Sequence, residues 1–322
     1  DSSYPVYLDM ERPELSTTTN ELVVDAFVNK LANSNYNTKV YSYRSLLQTK
    51  LNSPTIYQHV DWVAAYTSSL GFSNNWYRGP KGWQYQVYEA NQLNDSTMTL
   101  TMKSPDGDAN FPGNVTATVT YALTRDNAID INYEATTDKK TVINMTNHSY
   151  FNLSGNPANP ATDHILYVNA DSITPVDSTF MTTGEMMAVT ETPFDFNTPK
   201  TIAPDVTNFE NEQIKFGNGF DHNWVLNTKG DINQLAAKLT SPTSGITLEV
   251  YTNEPGIQVY TGNFLDGTVK GKKGITYLQR ASVCLETQHY PDSPNKSQWP
   301  SVILEPGQTY HSQCIFKFGV EK

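Results

Sequence analysis

The amino-acid sequence predicts an all-β protein, a meander or sandwich of short strands. Three observations carry that prediction. From about residue 84 onward, apolar and polar residues alternate in short runs. Gly, Pro, Asn and Asp punctuate the runs, as in "SPDGDANFPGN" over 104–114. No long stretch of helical period separates them, which argues against repeated βαβ units. Composition agrees: 19 Tyr, 13 Phe and 5 Trp, with many Thr and Val, suit pleated, half-buried surfaces.

In chain order, the predicted strands begin with "WQYQVYEA" (83–90), "TMTLTMKS" (97–104), "VTATVTYALT" (115–124) and "AIDINYEATT" (128–137). They continue with "HILYVNA" (164–170), "GITLEVYTN" (245–253), "GIQVYTGN" (256–263), "SVCLETQ" (282–288) and "QCIFKFG" (313–319). The first eighty residues read differently. "NELVVDAFVNKLAN" (20–33) fits a helix or a buried strand equally well, and "HVDWVAAYTSSLG" (59–71) fits a helix ending at Gly71. No linker and no internal repeat divides the chain, so residues 1–322 are expected to form a single domain.

The net charge of −11 argues against a nucleic-acid-binding face, which would be basic. No run of about 18 apolar residues is present to span a membrane. The first residue is Asp1, as in a chain whose leader has been removed or in a trimmed one. Asn-x-Ser/Thr triplets begin at Asn94, Asn114, Asn144, Asn147, Asn152 and Asn295. Together these features point to secretion, with a cytoplasmic location as the alternative. Cys284 and Cys314 are too few for a disulfide framework and leave one bridge or two buried thiols open.

Three segments carry candidate chemistry. His148, in "NMTNHSYFNLSG" (144–155), sits among amide and hydroxyl groups that can fix its tautomer, and an imidazole of pKa about 6.5 is a usable acid near neutrality. A hydrogen-bonded structural histidine is the plainer alternative. Glu286 follows Val283, Cys284 and Leu285 in a strand pattern; a carboxylate facing inward there must be paired, neutralised or directed into a cleft. Its Glu-x-x-His spacing with His289 would make metal ligands on a helix, but on a strand the two point to opposite faces, so no metal is expected. Asp221, in "NGFDHNWVL" (218–226), offers a carboxylate beside aromatic rings, or a turn before a strand. "DGTVKGKKG" (266–274) lacks the Gly-Lys-Ser/Thr ending of a phosphate loop and reads as a mobile basic loop.

Taken together, the segments resemble the galactose mutarotase (aldose 1-epimerase) family. "SPDGDANFPGNVTATVTYALT", "TNHSYFNLSG", "GFDHNW", "PGIQVYTGNFLDGT", "CLETQHYPDSPN" and "ILEPGQTYHSQCIFKF" match its signatures in order, over roughly residues 79–318. The resemblance implies a large antiparallel β-sandwich, the supersandwich of that family, with a sugar cleft on one concave face. It implies interconversion of the α and β anomers of a free aldose of glucose or galactose type, without a cofactor. Glu286 is then the base at the C1 hydroxyl and His148 the acid at the ring oxygen. Asp221 holds sugar hydroxyls and Gln258 lines the cleft. The expected partner is a small-molecule aldose, and the expected state a monomer or weak homodimer.

The N-terminal quarter departs from the family. The run "VNKLANS" (28–34) carries Lys30 where the family has an arginine, and "YRGPKGW" (77–83) carries Tyr77 where it has a histidine. Both are expected at the sugar, although Lys cannot reproduce a bidentate fork and Tyr cannot act as a second imidazole. Three other readings compete. A non-catalytic or differently specific sugar-binding relative keeps the cleft. A hexose-phosphate epimerase wants a cationic cluster, for which Lys272, Lys273 and Arg280 are the main candidates. A glycoside hydrolase would pair Asp221 with Glu286 and leave His148 without a role.

Overall fold

A computed structural model describes residues 6–9, 38–43, 60–64, 82–83, 86–271 and 274–321. The chain forms two compact units. The first comprises Asp1–Thr67, Ser73–Val87 and Ser104–Val115, and the second Ser68–Phe72, Tyr88–Lys103 and Thr116–Lys322.

In the first unit, β1 (Val6–Asp9), β2 (Thr38–Tyr43) and β3 (Val60–Ala64) form a parallel three-stranded sheet, with Val6 opposite Thr38 and Val40 opposite Val60. The segment 59–71 therefore opens as a strand where a helix was expected. Its Val-Asp-Trp-Val start is rich in β-branched and aromatic residues, which favour extended backbone. Residues 20–33, read as helix or strand, lie outside the described residues.

The second unit is built from antiparallel sheet. Its strands are β4 (Glu89–Asn94), β5 (Thr97–Ser104), β6 (Val115–Leu123), β7 (Ala128–Thr137), β8 (Thr141–Val142), β9 (Tyr150–Phe151), β10 (Ile165–Val168) and β11 (Ala170–Thr174). They continue as β12 (Met187–Ala188), β13 (Lys200–Thr201), β14 (Asp221–Leu226), β15 (Ala237–Thr240) and β16 (Ile246–Thr252). The series ends with β17 (Gly256–Tyr260), β18 (Val283–Gln288), β19 (Ile303–Leu304) and β20 (Tyr310–Val320). Nine strands form one sheet in the order β13-β10-β15-β16-β20-β7-β6-β5-β4, six form a second, β12-β11-β14-β17-β18-β9, and β8 pairs with β19.

Both sheets contribute to one core. Leu166, Leu239, Leu248, Val250, Ile131 and Phe316 of the larger sheet pack in the same buried cluster as Ile173, Trp224, Ile257, Val259, Val283 and Leu285 of the smaller. Two sheets burying one apolar layer between them make a β-sandwich. Trp224 satisfies its indole N–H inside that layer by donating to the Phe194 carbonyl at 3.0 Å.

Two strand expectations shift for physical reasons. Of the described residues in the run 83–90, only Glu89 and Ala90 are strand, and β4 is exposed throughout, an edge strand with no apolar face to bury. The run 164–170 is two strands in two sheets: β10 buries Leu166 and Val168 from one side, and after Asn169 the chain crosses so that β11 buries Ala170 and Ile173 from the other. Cys284 and Cys314 are both buried free thiols, one in each sheet.

Candidate active site

The smaller sheet has one face in the core and one that is polar, and period-two alternation decides which residue goes where. On β18, Val283 and Leu285 join the core cluster while Cys284 and Glu286 project the other way. Register aligns the neighbours: Glu286 stands opposite Gln258 on β17, and Gln258 opposite Asn223 on β14. The adjacent row runs Asp221, Tyr260, Cys284 and Tyr150, across β14, β17, β18 and β9. Polar and aromatic side chains from four strands thus share one floor.

His148 reaches this floor by the same register. Tyr150 pairs with Cys284. Two residues back along the β9 segment and two forward along β18 bring His148 to Glu286, and the imidazole Nε2 stands 3.3 Å from the carboxylate Oε1. The side chains are 16% and 9% exposed, so the pair is shielded yet reachable. The His148 ring stacks on Tyr150 at 4.9 Å between centroids and meets the edge of Tyr260 at 5.8 Å.

A second tie fixes the same segment. Asn144 donates its amide to the His289 carbonyl at 2.9 Å and accepts the His289 N–H at 3.1 Å. His289 lies just beyond β18 and directs Nδ1 to the buried Glu254 carboxylate at 2.5 Å. The Tyr310 hydroxyl donates to the other oxygen of Glu254 at 3.4 Å and accepts the Met145 N–H at 3.1 Å. His289 therefore faces away from Glu286, as strand geometry predicted, and serves to hold the His148 segment.

Burial sets the electrostatics. It raises the Glu286 carboxyl to about 8, against 4.5 for an ordinary glutamate. It also raises Asp221 to about 7; the Gln258 amide, donating to Asp221 at 2.8 Å, opposes that shift, and the Glu286 charge adds to it. His148 is pushed below the usual imidazole range by burial, with the Asp221 charge pulling upward. Burial thus acts in opposite directions on the pair, raising the proton affinity of the carboxyl and lowering that of the imidazole.

Several buried polar atoms on this floor find no partner among the described residues: both amide atoms of Asn223, Oε1 of Gln258 and Nδ1 of His148. Buried groups of this kind are ordinarily satisfied, so they present donors and acceptors to whatever fills the site.

The aldose 1-epimerase family model matches residues 70–317. The chain belongs to the aldose 1-epimerase family. It is 39% identical to the human galactose mutarotase over 247 residues, covering 77% of this chain and 70% of that one. It is 38% identical to the aldose 1-epimerase of Escherichia coli K12 over 251 residues, covering 77% and 71%. Among solved structures, the aldose epimerase homologue from C. elegans is similar at TM-score 0.66 and 30% identity, covering 76% of this chain and 72% of that one. The galactose 1-epimerase from Lactobacillus acidophilus is similar at TM-score 0.64 and 32% identity, covering 74% and 68%.

Within this family member, four of the six residues singled out from sequence meet on one sheet face or beside it: His148, Glu286, Asp221 and Gln258. Lys30 and Tyr77 lie outside the described residues. Sequence reasoning passed over Asn223, Tyr260 and Tyr150, and did not foresee the Glu254–His289–Asn144 tie. The first two were available from period two alone, since Asp221 and Gln258 each have them two residues along the same strand.

Proposed function

We propose that this chain is an isomerase that interconverts the α and β anomers of a free aldose of the glucose or galactose type. One observation carries the reading: in a member of this family, the His148 imidazole and the Glu286 carboxylate stand 3.3 Å apart beside polar groups able to bind hydroxyls.

Glu286, ionised, takes the proton from the C1 hydroxyl. O1 becomes a carbonyl oxygen as the C1–O5 bond breaks, and the electron pair on O5 receives the proton of His148. The aldehyde end rotates about C1–C2. His148 then recovers the proton from O5, O5 attacks the other face of C1, and Glu286 returns a proton to O1. No proton is gained or lost over the cycle, and the pair ends as it began.

Asp221 and Gln258, joined by their 2.8 Å hydrogen bond, bind sugar hydroxyls, and the free amide atoms of Asn223 extend that set. The Tyr150 and Tyr260 rings offer apolar faces to sugar C–H groups. Lys30 and Tyr77 belong to the same proposal on the strength of their motifs alone, as do a single domain over residues 1–322, a monomer or weak homodimer, and an extracellular location.

Polarimetry tests the reading. Freshly dissolved α-D-glucose and α-D-galactose should reach their equilibrium rotations faster with the protein, in proportion to its concentration. A rate equal to buffer alone for both sugars would reject it.

A further inference from the structure

Three donor atoms of different chemistry converge on the floor of this site. One ligand atom each from His148, Cys284 and Glu286 lie within 4.8 Å of one another. Zinc bonds of about 2.0–2.2 Å to nitrogen and carboxylate oxygen place neighbouring ligands of a tetrahedral shell about 3.3 Å apart. The His148 Nε2 to Glu286 Oε1 separation is 3.3 Å, so this pair already spans one tetrahedral edge. Cys284 and Glu286, two apart on β18, project from the same face, and the sulfur lies within 4.8 Å of both other ligand atoms.

We propose that His148, Cys284 and Glu286 form a three-ligand site for a borderline-soft divalent cation of the zinc class, and that its occupation switches the site off. A thiolate, an imidazole and a carboxylate select such an ion over magnesium or calcium, which want oxygen alone. A dication meets no opposing cation there: Asp221 faces the same volume, and among the described residues no lysine or arginine pairs with either carboxylate. Three protein ligands leave the fourth position for water on the open side.

The ion removes the two atoms that move protons. It occupies Nε2 of His148 and an oxygen of Glu286, and the Cys284 thiol releases its proton to solvent on binding. The His148 Nδ1 has no acceptor among the described residues, and a zinc-bound imidazole lacking one binds about 10–100-fold more weakly. The site is accordingly an exchangeable one. The inhibitory consequence rests on the proposed function; the metal site does not.

Cobalt(II) is the probe. Titrated into chelator-treated protein, it should give one thiolate-to-cobalt charge-transfer band at one ion per chain, abolished by added Zn²⁺. Cys284→Ser should lose the band, bind Zn²⁺ at least about 10-fold more weakly in competition with a chromophoric chelator, and retain sugar turnover that now resists Zn²⁺. Cys314→Ser should keep the band. Should Cys284→Ser fail to fold, His148→Asn provides the second binding test and should bind Zn²⁺ with the same deficit. No band in the parent protein, or an undiminished band in Cys284→Ser, overturns the site. Cobalt binding without sugar turnover leaves the site standing and removes the epimerase reading; turnover without a band does the reverse.

Discussion

Gln258 stands opposite Glu286 in the register of β17 and β18, yet it gives its amide N–H to Asp221, 2.8 Å away. The two carboxylates of the site are thereby treated differently. Asp221 is held by a donor and suited to binding, while Glu286 is left to its burial and suited to moving protons. Gln258→Leu should therefore act mainly on sugar binding. Loss of a hydrogen bond to a charged group, about 1.5–3 kcal/mol, corresponds to a rise in KM of roughly 10–100-fold with a smaller change in kcat. Steady-state polarimetry gives both constants, and a pure kcat defect would contradict the assignment.

Removing either member of the proton-transfer pair should abolish most turnover. Glu286→Gln and His148→Asn are each expected to lower kcat by about 100-fold or more. Either variant retaining near-parental rates would show that the roles are misassigned.

Glu286→Gln should also stabilise the empty protein at alkaline pH. The folded carboxyl titrates near 8 and an unfolded one near 4.5, so the folded state binds more protons between those values. Stability contributed by the protonated form is present below about 4.5 and falls as pH rises through 8. Glutamine removes that loss. Denaturant unfolding at pH 8.5 should favour the variant by roughly 1–3 kcal/mol, with little difference at pH 4.

The pH profile of kcat/KM should be bell-shaped, because turnover needs one proton on the His148–Glu286 pair. Protonation of both groups removes the base, and deprotonation of both removes the acid. With Glu286 raised to about 8, the alkaline limb belongs near that value and is a property of the pair. A profile flat from pH 5 to 9 would exclude this description.

His222 should make the fold acid-sensitive. Burial lowers its pKa to about 3, and its Nδ1 accepts the Asp221 N–H at 3.2 Å. Between about 3 and 6.5 the unfolded chain binds a proton that the folded chain refuses, so stability is lost as pH falls through that window, at about 1.4 kcal/mol per unit. His222→Phe should reduce the slope of unfolding free energy against pH by about one proton there. An unchanged slope would count against it.

Much of this architecture is legible in the sequence because strands announce themselves by alternation. The runs 97–104, 115–124 and 128–137 correspond closely to β5, β6 and β7, and the Val-Cys-Leu-Glu order of 283–286 already separates core face from site face. The crossing at Asn169 is not legible, since a strand that leaves one sheet for another keeps the same local pattern. Nor is the tie through Glu254, His289 and Tyr310, whose members are 35 and 56 residues apart and carry no shared local signal. The Glu-x-x-His spacing pointed only to what His289 does not do.

The pairing of Asn144 with His289 also bears on modification. Asn144 and Asn152 spend their amide nitrogens on the His289, Asn159 and Ala281 carbonyls, and that of Asn147 is buried. A glycan at Asn144 or Asn152 would break those bonds, and one at Asn147 would have to enter a buried position beside His148. Asn94, Asn114 and Asn295 are exposed and lie away from the His148 segment, so any modification that glycopeptide mapping of protein from its native source finds should fall on those acceptors. Occupancy of Asn147 would count against both the site and the enzyme reading.

The acid rides on a segment fastened at two points to the strand that carries the base, at Tyr150–Cys284 and at Asn144–His289. The two groups are therefore members of a single truss, whose span is set by sheet register. Recognition and chemistry become separable inheritances. A lineage can vary residues that contact the sugar and try new substrates while these two groups keep their spacing.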